Sequence, residues 1–524
     1  MTIKDQIEAL RTDEATDDSA SARFEICSDR TVDVVRRSIQ WVPGGAVMIA
    51  RENGRRFLLA VDLEGTGLAG RFSGEMLHIE PDVDACFGGL DHHNADVMRE
   101  LCETALPQPL GLDDSFGLGD RLGIAGPAHL RALRGTGFKV VLAQQSIREL
   151  ERTERTPDEV MDAATWAILE EGWSEPWGAD ADHLKTPADI ELMAEAGFTM
   201  FTIDPGDHVV DAADTMSVPE LQEAAGGLPW DDLEDTLGAA LRRYSGDVIF
   251  TGSGLDLEPS NEDTLRAWVK YGASLAHTAK MYRHIAATMG DRPFEVEVSV
   301  DETASVTTPF EHWLVASELR RLGVEWIGLA PRFIGDFEKG IDYRGDLELF
   351  RSEYVKHLAV AEALGPYKIS IHSGSDKFGV YRVIGEIGKG GVHVKTAGTS
   401  YLEALRTVAS CEPDLFREIL DFSRGLYEHE RRTYHVSAEL ERVPAAAEMG
   451  DGDLVGLFEE DDARQVLHVT FGRVLTEKDD DGVYLFKERL LAALSAHEGN
   501  HYGNLVTHFR RHTAPFGGTD GEET

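Results

Sequence analysis

Two histidines in this 524-residue chain stand at the ends of strand-like runs, each with acid groups beside it. His183 lies in the segment ADADHLK and His372 in the segment KISIHSGSDK. Imidazole nitrogens and carboxylate oxygens together bind Zn, Mn, Fe, Ni or Co in sites that keep open coordination positions. The pattern predicts a divalent-metal site if the strands bring both rings to one place. The alternative for each ring is a buried histidine satisfied by a neighbouring carbonyl.

Acid groups accompany these histidines at the ends of other predicted strands. Glu297 lies inside the apolar run FEVEVSVDE, which also carries Glu295 and ends at Asp301. A carboxylate inside a barrel needs a partner or a changed pKa, so an inward-facing Glu297 is expected to be functional. The alternative is an outward salt bridge to a helix arginine. Asp336 follows Gly335 and is either a metal ligand or a turn residue.

Basic residues near the same strand ends are candidates for binding an anionic substrate. Arg332 can hold a carboxylate by a bidentate fork, and Lys377 can supply a point charge. Lys185 and Ser375 follow the two histidines closely and are further candidate substrate contacts. The alternative for Arg332 and Lys377 is a structural ion pair.

Two apparent motifs are rejected. The segment HEGNH from His497 matches the zincin pattern, but it would place Gly and Asn in the middle of a helix. The glycine-rich run from Gly385 to Gly398, with Lys389 and Lys395, could cradle a phosphate but lacks P-loop spacing.

Alternating strands and helices must position these residues. Thr156-Pro157 and Thr308-Pro309 each begin a helix with a capping box, and Thr186-Pro187 repeats the device. Nearly all-apolar runs between such helices are typical of parallel strands buried on both faces. Eight βα units predict a (β/α)8 barrel, with an open doubly wound sheet as the second choice. The predicted strands begin near Phe116, Phe138, Trp177, Phe198, Phe294, Val324, Tyr367 and Val392.

Four regions are predicted along the chain. Residues 1–22 form a disordered acidic tail, and residues 23–110 a β-rich N-terminal region. Residues 111–405 form the barrel, interrupted by a helical insertion at 205–292. Residues 406–524 form a mostly helical C-terminal segment. A run from Asp247 competes as a ninth strand.

The composition excludes several classes of partner. The net charge of −43 disfavours nucleic acid and anionic membranes, and is typical of a halophilic cytoplasm. Four cysteines without a Cys-x-x-Cys pair predict neither a disulfide framework nor a thiolate zinc site. No signal-like or membrane-length apolar segment is found, so a cytoplasmic protein is expected.

Several long strings resemble the tagaturonate epimerase family, which acts in hexuronate catabolism. The resemblance covers roughly residues 111–516. It implies a metal-dependent barrel enzyme that interconverts two hexuronate-derived keto acids. The matching strings include SFGLGDRLG, DADHLKT, EVEVSVDET, GLAPRF, FEKGIDYRGDL, SIHSGSDKFGVYR, VHVKTAGTSYLEALR and HYGNLVTHF.

The resemblance also implies roles for individual residues. Asp182 would be the proton acceptor and Glu297 the proton donor. The metal ligands would be His183, Asp336 and His372, with Glu338 and Asp342 as alternatives to Asp336. The expected reaction is interconversion of D-tagaturonate and D-fructuronate by retro-aldol cleavage and re-addition.

Two other functions are considered. One is a metal-dependent sugar isomerase or aldolase that acts on sugar acids. The other is a non-catalytic protein that binds sugar acids. A homo-oligomer is possible in each case.

Overall fold

The N-terminal region is an antiparallel sheet. The computed structural model describes residues 2–12, 21–27, 30–246, 248–250, 255–301 and 303–517. The sheet has the order β1-β2-β4-β5-β7-β6, and β3 pairs with β4. Its strands are β1 Ser21–Cys27, β2 Arg30–Val35, β3 Gln40–Val42, β4 Gly45–Glu52, β5 Arg55–Asp62, β6 Glu75–Glu80 and β7 Val83–Gly88.

Two helices flank this sheet: α1 Ile3–Thr12 and α2 His92–Leu101. The predicted disordered tail therefore differs from the structure over α1, because Ile3 and Ile7 are buried in the core of the sheet. Burial of that apolar stripe gives the short helix a stability that its polar sequence does not suggest. The rest of the predicted tail lies mostly outside the described residues.

Eight parallel strands close into a barrel, as predicted. Their order around the barrel is β10-β11-β14-β15-β16-β17-β8-β9. The strands are buried over most of their length, as the apolar runs indicated. They are β8 Ser115–Leu118, β9 Lys139–Ser146, β10 Trp177–Leu184, β11 Met200–Ile203, β14 Glu295–Val300, β15 Gly328–Pro331, β16 Lys368–Ile371 and β17 Val392–Thr396.

The run near Asp247 does not join the barrel. It contributes β12 Val248–Phe250, which pairs antiparallel with β13 Leu255–Leu257. This hairpin lies in the insertion between β11 and β14, together with α7 Val218–Gly226, α8 Leu237–Tyr244 and α9 Asn261–Met289. The competing ninth strand is thus an element of the insertion.

Helices cover the outside of the barrel. Capping boxes are present at Thr156, Thr186 and Thr308, each with proline in the first turn, as the sequence predicted. Among the described residues, no helix has the length and apolar character needed to cross a membrane. The barrel helices are α3 Gly126–Leu133, α4 Ile147–Thr153, α5 Pro157–Glu171, α6 Pro187–Glu195, α10 Pro309–Arg321, α11 Leu347–Leu364, α12 Phe378–Ile387 and α13 Thr399–Cys411.

The C-terminal segment is helical and has an apolar core of its own, which includes Phe416, Phe458 and Phe471. The rejected zincin segment spans a helix boundary, because His497 ends one helix and Glu498 begins the next. The C-terminal helices are α14 Pro413–Glu430, α15 Asp461–Val469, α16 Phe471–Thr476, α17 Lys487–Ala496 and α18 Glu498–Thr513.

Candidate active site

The two predicted histidines meet at the carboxyl ends of the barrel strands. His183 is near the end of β10, and His372 directly follows β16. Their ring centroids are 5.0 Å apart. Asp301, directly after β14, places Oδ1 3.2 Å from His372 Nδ1 and 3.9 Å from His183 Nε2. Parallel strands bring their carboxyl ends to one face of a barrel, so residues distant in sequence come together there.

A backbone irregularity lets two consecutive residues of β10 face this site. Successive side chains of a regular strand point to opposite faces, yet both Asp182 and His183 line the cleft. The register of β10 against β11 shifts between Ala181 and Leu184, as at a β-bulge. His183 also has a φ of 53°, a left-handed conformation that is uncommon outside glycine. The bulge therefore turns the imidazole into the same space as the neighbouring carboxylate.

One nitrogen or oxygen atom from each of His183, Asp301 and His372 lies within 4.8 Å of the others. Two imidazoles and one carboxylate form a donor set that suits a divalent transition metal with open positions. The residues present therefore fit a bound divalent cation, by their chemistry and by their convergence.

Lys395, on β17, connects the acid groups beneath the histidines. Its Nζ lies 2.7 Å from Asp180 Oδ2, 2.7 Å from Asp182 Oδ1 and 2.9 Å from Glu297 Oε1. Glu297 Oε1 in turn accepts a hydrogen bond from His372 Nε2 at 2.6 Å. A single buried ammonium group is thus shared by three buried carboxylates.

Electrostatics keep most of these groups charged despite their burial. Burial opposes the charge on Asp182, but His183 and Lys395 outweigh it and hold its pKa well below the usual value. Burial likewise opposes the charge on Glu297, and Lys395 with His372 lowers its pKa. For Asp180, burial prevails over Lys395, and with repulsion from Asp182 and Glu297 it raises the pKa to about 6. One ammonium group does not balance this acidic cluster, and a divalent cation would reduce the excess.

The site opens into a cleft with about 660 Å³ of empty space, part of which is open to solvent. Asp182, His183, Asp301, His372 and Lys395 line it from the barrel. The C-terminal segment supplies a further part of its wall, through Tyr434 and His468. That segment is therefore part of the cleft rather than a separate appendage.

The structure does not bring the predicted ligand Asp336 to the histidines. Asp336 is exposed, pairs its backbone with Arg344, and lies 3.2 Å from His435 Nε2 through Oδ1. The connection between β15 and α11 is long, and carries Asp336 away from the strand end. Asp301 takes the position beside the rings because it directly follows its strand.

The two alternatives to Asp336 are also engaged elsewhere. Glu338 accepts hydrogen bonds from Ser437 and Gln465 of the C-terminal segment. Asp342 accepts from the backbone N–H of Gly379 at the start of α12. Both acid groups therefore hold loops and helices in place.

Of the predicted substrate-binding residues, Ser375 lines the cleft. Lys377, Lys185 and Arg332 are not among the described residues that line it. The Lys377 ammonium is buried and donates to the backbone carbonyls of Glu338, Ile341 and Ser375. The structure thus places the Lys377 ammonium among backbone carbonyls, outside the lining of the cleft.

Lys185 and Arg332 also make contacts with other residues of the protein. Lys185 Nζ lies 2.9 Å from Asp207 Oδ1 and 3.5 Å from Asp204 Oδ2. Arg332 is half-buried, and its backbone exchanges hydrogen bonds with Thr307.

A second group of possible ligands lies between the barrel and α18. Asp376, His508 and His512 are all buried. Their atoms already have partners, however: Asp376 pairs with Arg464 at 2.7 Å, and His512 Nε2 accepts from the Asp376 backbone N–H at 3.1 Å. This cluster fastens α18 to the barrel.

Sequence reasoning misses Lys395 and Asp180 as parts of the site. In the sequence, Lys395 is noticeable only as part of the glycine-rich run that is rejected as a phosphate site. The other lysine of that run, Lys389, pairs with Glu362 in the structure. The available signal is a lysine in the interior of an apolar strand, since a buried lysine needs an acid partner. Asp180 is two residues from Asp182 and so lies on the same face of a strand.

Comparisons with known proteins agree on one family. A family model described as tagaturonate epimerase (UxaE) matches residues 35–515. The tagaturonate/fructuronate epimerase of Thermotoga maritima is 43% identical over 427 residues, which is 80% of this chain and 84% of that protein.

Solved structures agree in fold. A glycerol-complexed crystal structure of the fructuronate-tagaturonate epimerase of Cohnella laeviribosi is 36% identical, with a TM-score of 0.87. The match covers 93% of this chain and 96% of that one. The native crystal structure of the same enzyme gives a TM-score of 0.86.

Proposed function

Since this chain belongs to the tagaturonate epimerase family, we propose that it interconverts D-tagaturonate and D-fructuronate at a divalent cation. The observation that carries the proposal is the convergence of His183, Asp301 and His372 beside the buried acid groups. These three residues would hold the cation. When bound, it would act as a Lewis acid that polarises the substrate ketone and stabilises negative charge on oxygen.

The chemistry of the substrate favours carbon–carbon cleavage. Both sugar acids carry a ketone at C2 and a carboxylate at C6, and they differ in configuration at C4. The C4 hydrogen is not acidic because C4 is β to the ketone, so removing a proton next to the carbonyl would invert the wrong carbon. Retro-aldol cleavage between C3 and C4, rotation of the aldehyde and re-addition invert C4 without breaking its C–H bond.

Asp182 is suited to start this reaction. It lines the cleft, and its neighbours keep it anionic. It would take the proton from the C4 hydroxyl, after which the C3–C4 bond breaks and its electron pair moves towards the C2 carbonyl oxygen.

Lys395 would return a proton to the substrate, and Glu297 would hold the Lys395 ammonium group in place. Glu297 is fully buried and is not among the described residues that line the cleft, whereas Lys395 is. The Lys395 ammonium contacts both Asp182 and Glu297. Lys395 could therefore pass the proton taken by Asp182 to the alkoxide oxygen that forms when the opposite face of C4 is attacked. This transfer would return the site to its starting protonation state.

An isotope experiment tests the reaction. With D-tagaturonate deuterated at C4, we expect the D-fructuronate formed to keep the label in full, because the C4–D bond never breaks. The product would be followed by NMR in ordinary water with a divalent metal added. Wash-out of the label would instead indicate proton abstraction at C4.

A further inference from the structure

Arg121 is held in the wall of the cleft by contacts with two parts of the chain. It lies in the loop after β8, where the neighbouring Asp120 carboxylate accepts three backbone N–H groups of the same loop. Arg121 is only 4% exposed, and its guanidinium carbon lies 3.6 Å from the ring centroid of Phe471 in the C-terminal segment. Its Nε donates to Glu149 Oε1 at 2.9 Å. The barrel and the C-terminal segment thus fix this guanidinium from two sides.

Two nitrogen atoms at this place lack a hydrogen-bond partner among the described residues. Arg121 Nη1 is one of them and is buried, although Glu149 and His468 engage the rest of the group. The other is Nδ1 of His468, a residue that is 2% exposed. The Nε2 atom of His468 faces Arg121 Nη2 at 3.5 Å. Since Nη2 can only donate, Nε2 must accept, and Nδ1 then carries the ring proton.

The fold makes room for this arrangement. A β-carbon on Gly398 would overlap the His468 ring, so glycine is needed there. Buried N–H groups without a partner are costly, and in a cleft they indicate a missing acceptor. Each of these two donors, one of them on a guanidinium, can bond to a carboxylate oxygen.

We propose that Arg121 and His468 hold the C6 carboxylate of the substrate. This inference rests on the proposed function and adds the part of the site that recognises the acid group. Neither residue is an expected metal ligand or proton carrier. Arg121 replaces Arg332 and Lys377 as the residue that recognises the negative charge.

The position of the carboxylate gives this contact a second consequence. Cleavage between C3 and C4 leaves the carboxylate on the three-carbon aldehyde, which is the fragment that must turn over. Binding of the C6 carboxylate keeps the fragment in the cleft and leaves the aldehyde at C4 free to rotate and present its opposite face. Arg121 therefore both binds the substrate and prevents loss of the fragment.

The test compares Arg121→Met with the wild-type enzyme in the presence of added metal. We expect Arg121→Met to weaken the binding of D-tagaturonate, and to raise its KM, by on the order of a hundred-fold. Binding of D-tagatose, which has a CH2OH group in place of the carboxylate, should change little. Free three-carbon aldehyde acid should also become detectable by NMR, which a purely structural defect would not produce.

A matched control comes from the C-terminal segment. Arg406 also stacks on a phenylalanine, Phe458, and pairs with Glu459, but it is not among the described residues that line the cleft. Arg406→Met should keep the wild-type KM. If Arg121→Met does not fold, Arg121→Lys carries the test, because it retains the charge but loses the fork.

The outcomes separate the two proposals. Wild-type affinity for D-tagaturonate in a folded Arg121→Met or Arg121→Lys protein would overturn the carboxylate site. Equally tight binding of D-tagatose and D-tagaturonate by the wild type would overturn it as well. A wild type that binds D-tagaturonate more tightly than D-tagatose but does not epimerise it would overturn only the proposed function.

Discussion

Replacing Lys395 with methionine is expected to remove epimerase activity and to destabilise the protein. The change leaves Asp180, Asp182 and Glu297 buried without their shared cation. Breaking a buried ion pair by deleting one partner costs about 3–5 kcal/mol. Loss of proton transfer adds a rate decrease of about 100-fold to 10,000-fold. Urea unfolding gives the stability, and a coupled assay with D-tagaturonate gives the activity.

Lys368→Met is the matched control for this prediction. Lys368 is also a buried barrel lysine, but its Nζ donates to Ser115 Oγ at 3.0 Å and to the Asp113 carbonyl at 3.3 Å. Its removal should lower stability with a much smaller effect on turnover of the folded protein. If the two variants lost activity equally, Lys395 would have no special role in proton transfer.

Replacing His372 with asparagine is expected to prevent binding of the cation and to lower kcat/KM by about a thousand-fold or more. The ring contributes one of the converging nitrogen donors, and a Lewis-acid metal supplies several kcal/mol of transition-state stabilisation. Metal content after dialysis and initial rates with added metal would be measured together.

Asp336→Asn provides the comparison for His372→Asn. Asp336 is exposed and lies within the loop between β15 and α11, so its variant should keep both the metal and the rate. Loss of the metal from the Asp336→Asn protein would instead support the ligand set expected from the sequence, which is His183, Asp336 and His372.

Much of the barrel could be predicted from local patterns. The apolar runs marked the buried strands, and the capping boxes at Thr156, Thr186 and Thr308 marked helix starts correctly. Parallel topology then placed His183 and His372 at one face, because the carboxyl ends of the strands share that face.

The third donor could not be chosen in the same way. Asp301 and Asp336 both follow strands in the sequence. What separates them is the distance along the chain from the strand end, together with the path of a long loop that local patterns do not determine. The bulge in β10 is a similar case, since strand periodicity alone would turn His183 away from Asp182.

Contacts between distant segments also could not be predicted from local sequence patterns. The wall formed by Tyr434 and His468 depends on how the C-terminal helices dock, and the place of Arg121 depends on Phe471. The burial of α1 against the N-terminal sheet is another long-range effect. In each case apolar packing decides the position of a segment whose own sequence is polar or mixed.

Anomalous X-ray diffraction from crystals of the protein grown with Mn²⁺ would locate the proposed cation without reference to activity. We expect a strong anomalous peak bounded by the imidazoles of His183 and His372 and the carboxylate of Asp301. A peak at Asp376, His508 and His512 instead, or full turnover of protein that shows no peak between the two rings, would contradict a cation-dependent epimerase built on these three residues.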